Sequence, residues 1–139
     1  MQGARAVQKS VLKKFPDADI SVSIVWIQMP GFNDNEMTAR RIAGTIDDSR
    51  VKHFYDPFPA HLVGKTFAQG RISRGPAWDI YFFYKQGVEW TDAPPSPAKW
   101  MHQLGGAGAD QSKFRSGADL VEQLHEEMHN VTGAKCTDE

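Results

Sequence analysis

"SRGPAWDIYFFYKQGVEW", residues 73–90, sets the reading of this chain. Gly75 and Pro76 precede a β-prone apolar run, "AWDIYFFY" (77–84), which a Lys-Gln-Gly turn separates from "VEW" (88–90). Aromatic and branched runs flanked by turn residues predict a β-hairpin. Upstream, "ISVSIVWIQM" (20–29) is β-branched and apolar on both faces, which suits a strand covered by helices on both sides of a sheet. Pro30 and Gly31 end it. Asn33, with Glu36 three residues on, has the form of a capping box. Met37, Ile42, Ala43 and Ile46 then supply the buried stripe of a helix. "VKHFY" (51–55) reads as a short strand.

The flanks extend this order. Ala4, Val7, Val11, Leu12 and Phe15 recur at helical spacing until Pro16. "DPFPAHLVGKTFAQG" (56–70) is a proline turn followed by a short helix bearing Leu62, Val63 and Phe67. The prolines and glycines of 91–111 predict a long excursion, broken by a helical turn at "PAKWMHQL". A last helix starts at Ser112 or Ser116 and runs to Asn130, with Gly133 just past its end. Helix, strand, helix, strand, helix, hairpin, helix is the order of an α/β sandwich with a mixed sheet.

The chain has 139 residues, enough for one domain, expected over 1–133 with a flexible tail at 134–139. Sixteen Lys and Arg against seventeen Asp and Glu leave a net charge of −1, so no electrostatic footprint for nucleic acid is present. No apolar stretch is long enough to span a bilayer. Cys136 is the single cysteine, which excludes an internal disulfide. A cytoplasmic setting, no nucleic-acid or membrane partner and no cofactor are the expectations.

Residues 73–90 resemble the segment of thioredoxin-like proteins in which Gly-Pro precedes an apolar strand, a Lys-x-Gly turn and an antiparallel strand. "VSIVWIQM", the helix after it and "VKHFYDPFPAHLVGKTFAQG" are similar to the peroxiredoxin and TlpA-like branch. The resemblance covers residues 3–90, and the final helix matches that fold's last one. It implies a thioredoxin-like sandwich, a cis Pro76, and a groove at Gly75, Pro76, Trp78 and Asp79 where the Gly75 backbone meets bound peptide. It also implies an absence: the family's Cys-x-x-Cys and the central strand before it have no counterpart in this chain, whose amino-terminal helix corresponds to the one those cysteines open. No catalytic residue is therefore carried over.

A vacant central position would leave two rows of backbone groups unpaired. The expectation is an obligate homodimer that pairs strand edges or exchanges elements. The expected function is a non-catalytic binding or assembly module. The alternative is a thiol-disulfide oxidoreductase or peroxiredoxin-like enzyme whose Cys-x-x-Cys lies upstream.

Several residues invite sharper readings. "LHEEMHN" (124–130) contains His-Glu-x-x-His, the pattern that places two zinc ligands and a general base on one helix. Against the stripe Phe114, Leu120, Val121, Leu124 and Met128, His125 falls at the apolar edge and His129 further toward solvent. A hydrolase using His125, Glu126 and His129 would need a third ligand, and only Cys136, Asp138 and Glu139 follow. Asp79 interrupts a strand of apolar neighbours, so a buried carboxylate is expected, held by an ion pair with a residue such as Arg71 or Arg74 or by hydrogen bonds to loop backbone; the functional reading is an acid–base residue near the groove. Trp100 and His102 sit in the 91–111 excursion, where a binding loop is the functional reading. A lid of Trp100 and Met101, with His102 capping a helix, is the structural one. His53 and His61 occur singly and read as structural or exposed.

Overall fold

The computed structural model describes residues 2–106 and 108–137. Asp138, Glu139 and Ala107 lie outside them, so part of the expected tail and one residue of the glycine cluster are not described. Among the described residues the fold is mixed α/β, with four α-helices and two small sheets. The chain divides into two compact units, Ile20–Trp78 and a second that joins Met1–Asp19 to Asp79–Glu139.

In the Ile20–Trp78 unit, β1 (Val22–Ile27) and β2 (Val51–Asp56) pair in parallel, from Val22 opposite Val51 to Ile27 opposite Asp56. The crossover carries α2 (Glu36–Ala43), as a parallel pair requires. Asn35 caps α2 by accepting the Thr38 N–H at 2.9 Å. The expected cap, Asn33, instead accepts a bond from the Asn35 amide; with the cap at Asn35, Glu36 lies two residues short of the capping-box position and pairs with Arg40. Before β2, Arg50 grips Asp48 through two guanidinium nitrogens, which holds the Asp48 carboxyl below its ordinary range. The N-terminus of α2 lies beside Tyr55 on one face of the pair. On the other face α3 (Leu62–Ala68) brings Gly64 against Ile27 and Asp56.

Burial in this unit runs against residue size. Its buried apolar side chains are Ala39, Ile46, Ala68, Pro76 and Ala77, whereas Phe32, Met37, Phe54, Phe58, Leu62 and Trp78 are exposed.

The second unit has an ordinary core. Its first helix, α1 (Gln2–Val7), continues as a π-helical turn over Gln8–Leu12, closed by the Lys13 N–H on the Gln8 carbonyl. Val11, Leu12 and Phe15 are buried there, as their spacing predicts. They pack with α4 (Gly117–Thr132), whose Leu120, Leu124 and Met128 are buried. Gly133 ends α4 at φ 69°, a left-handed position that favours glycine. Beyond it, Thr137 donates its backbone N–H to the Lys14 carbonyl at 2.9 Å.

The hairpin expected at 77–90 forms differently. Strand β3 (Ile80–Phe83) does follow Pro76, but its antiparallel partner is β4 (Lys99–His102), not residues 88–90. Gly87 does turn the chain, at φ 79°. The polar and proline-rich stretch after it then loops out and returns as a strand where a helical turn was expected. Lys99 and Met101 explain the choice: Met101 enters the core at 2 % exposure, and Lys99 reaches the buried Glu127 of α4 at 3.4 Å.

Candidate functional site

The four residues expected to form a groove do not behave alike. Pro76 is buried and its peptide bond is trans; the cis bond among the described residues is Phe58–Pro59. Gly75, directly before it, stands at φ 76°, a left-handed position that favours glycine. Pro76 packs on α3 so closely that a Cβ placed on Gly64 would lie 2.6 Å from the proline Cβ, and the Ala77 N–H bonds the Gly64 carbonyl at 2.8 Å. Trp78 is exposed. Asp79 is also exposed and stands at φ 48°, so the expectation of a buried carboxylate is corrected. A left-handed backbone at the strand entrance turns its side chain out of the β3 alternation, and aspartate is among the few residues that tolerate it. Its carbonyl accepts the Gln103 N–H, and its charge adds to burial in raising the Tyr81 phenol well above the ordinary value.

Where β1 and β2 end, the Ile20–Trp78 unit gathers polar groups. The Gln28 side-chain oxygen accepts from the Tyr55 hydroxyl at 3.0 Å and from the Phe58 N–H at 3.1 Å. Asp56, 2 % exposed, accepts the Gly64 N–H at 2.7 Å. His61 is buried at φ 45° and its Nε2 lies 2.6 Å from the Gln28 carbonyl. A carbonyl only accepts, so Nε2 carries the proton. The carboxyl ends of parallel strands are where α/β sheets usually place ligands. Here the polar groups are spent largely on pinning the 57–61 turn, which leaves Phe58 and Leu62 outward. The sequence reading missed Gln28 and Asp56; the signal was present in Asp-Pro directly after a strand, a carboxylate that must be satisfied where the strand stops.

Trp100 and His102 stand on β4. His102 is fully enclosed: Nδ1 accepts the Leu104 N–H at 3.0 Å and Nε2 donates to the Asp110 carbonyl at 2.8 Å. Its ring is stacked on Trp100 and edge-on to Phe114, and its carbonyl accepts the Arg115 N–H. It therefore fastens the loop between β4 and α4 and does not cap a helix. Both ring nitrogens are committed, which leaves no lone pair for a substrate.

His125 and His129 part company on α4. His125 lies edge-on to Phe15, with Nε2 buried and without a hydrogen-bond partner. His129 is exposed and meets the Ala134 carbonyl at 3.1 Å. No group of three or more His, Cys, Asp or Glu among the described residues is placed to hold a metal ion. His-Glu-x-x-His here is thus half core and half surface, a poor match to a zinc site with an open position. No helix among the described residues is long and apolar enough to cross a membrane.

What the arrangement offers chemically is contact area. No pair of side chains described above has the geometry of a nucleophile with its base, whereas Phe32, Met37, Phe54, Phe58, Leu62 and Trp78 lie exposed in one small unit. No protein-family model matches the chain, and no curated protein or solved structure matches it.

Proposed function

We propose that the protein is a non-catalytic, thioredoxin-like binding and assembly module that joins a second copy of itself through open strand edges. The observation that carries the reading is the burial pattern of the Ile20–Trp78 unit, which buries three alanines with Ile46 and Pro76 and exposes six large apolar side chains. Exposed apolar surface of this kind marks an interaction site.

The sheets support it. An isolated two-stranded sheet is marginal in water, and parallel strands are normally flanked by further strands and covered on both faces. Here the parallel pair has no third strand among the described residues, and Phe54 on β2 is about half exposed. Two separate two-stranded sheets leave strand edges without a neighbour among the described residues. The apolar composition of "VSIVWI" suits a strand with neighbours on both sides.

Multi-angle light scattering on the chain at micromolar concentration tests the reading. The expected mass is that of two chains; a monomer mass across that range would overturn it.

A further inference from the structure

Resting on that assembly reading, we infer that the edge which accepts the second copy is the outer edge of β1, paired antiparallel with itself about Val25. Two hydrogen bonds fix which backbone groups face outward. Val22 N–H donates to the Arg50 carbonyl at 2.9 Å and Gln28 N–H to the Asp56 carbonyl at 3.1 Å, so even-numbered residues of β1 bond inward to β2. Backbone groups alternate sides along a strand. Ser23, Val25 and Ile27 therefore point their N–H and C=O away from β2, and no strand pairs with them among the described residues.

The two outer edges of the parallel pair differ. Proteins blunt free edges with charge, proline or bulges. "VSIVWI" has no charged residue, no proline and an unbroken register. On β2, "VKHFYD" carries the exposed Lys52 and is followed by Pro57, and its outward Val51 N–H is already bonded to the Asp48 carbonyl at 3.0 Å. The β2 edge is protected and the β1 edge is open.

Self-pairing follows from symmetry. A two-fold axis at Val25 sets Val25 against Val25 and Ser23 against Ile27 of the other copy, which engages all three outward residues within the strand. The same register faces Ile24 with Trp26, a favourable branched–aromatic cross-strand pair. No charge meets a like charge. The product is a continuous four-stranded sheet, β2-β1-β1-β2, with the two-fold symmetry of most homodimers.

Engineered cross-linking tests the register. In a Cys136→Ser background, Val25→Cys and, separately, His53→Cys are introduced and mildly oxidised, while sedimentation velocity reports the state of the unaltered chain. Directly opposed residues of a hydrogen-bonded antiparallel pair have Cα atoms about 5.5 Å apart, within disulfide reach. The expected result is a covalent dimer with Val25→Cys and none with His53→Cys. Should Val25→Cys fail to fold, mixing Ser23→Cys with Ile27→Cys chains is expected to give the mixed disulfide. A dimeric parent that cross-links only through His53, or through none of these positions, overturns the β1 interface and leaves assembly standing. A monomeric parent removes both.

Discussion

Trp26 on β1 donates its indole N–H to Nδ1 of His53 on β2 at 3.2 Å, and the two rings stack with their planes 22° apart. An indole nitrogen only donates, so the bond requires Nδ1 unprotonated. Burial already holds the His53 pKa below its ordinary 6.5. In the window below 6.5 the unfolded chain binds more protons at this position than the folded one, so stability rises with pH and falls on acidification. Urea unfolding is expected to give a lower midpoint at pH 5.5 than at 7.5. The difference should shrink in His53→Gln, and an unchanged difference would remove His53 from the account.

His102 closes the loop to α4 with both ring nitrogens. His102→Ala would leave the Leu104 N–H and Asp110 carbonyl without their partner and open a void beside Trp100 and Phe114, at an expected cost of roughly 2–4 kcal/mol. Guanidinium unfolding measures it. Limited proteolysis of the same variant is expected to cut first between residues 103 and 116.

Gly64 is expected not to accept a side chain although it stands inside α3. Alanine would gain up to about 1 kcal/mol in helix propensity, but its Cβ would lie 2.6 Å from the Pro76 Cβ and 3.3 Å from Asp56 Oδ2. Overpacking of this kind typically costs about 1–3 kcal/mol. Gly64→Ala should therefore lower Tm, and a raised Tm would show that Pro76 moves aside freely.

His125 offers a test of opposite sign. Its Nε2 is buried without a partner beside Phe15, so His125→Phe, which removes a polar atom and keeps an aromatic ring, is expected to hold or raise stability by up to about 1 kcal/mol. A zinc-ligand role would instead make equimolar zinc stabilise the parent and not the variant in a thermal shift assay.

The legible parts of the fold were those with local signals. The apolar stripe of α4 and its stop at Gly133, the branched run of β1, and the proline-bounded start of α3 all lie close to where the sequence places them. Strand β4 was illegible because its signal is long-range: four residues after three prolines become a strand only when Met101 finds the core and Lys99 finds Glu127. The Lys-Gln-Gly turn pointed to a tight hairpin, and tertiary packing overrode it. Asp79 misled because apolar neighbours predict burial, while a left-handed φ at one residue reverses where its side chain goes. Gln28 and His61 gave no pattern and Asp56 only the Asp-Pro step after a strand, since the three are brought close only when two parallel strands end side by side.

Assembly through the β1 edge is tested most directly by amide hydrogen exchange read residue by residue along β1. Ile24 and Trp26 bond inward to β2 and are expected to be slow in any folded state. The account predicts that Ser23, Val25 and Ile27 are slow as well and become fast on dilution below the dimer's dissociation constant. Fast exchange at those three positions at every concentration, beside protected Ile24 and Trp26, would contradict it.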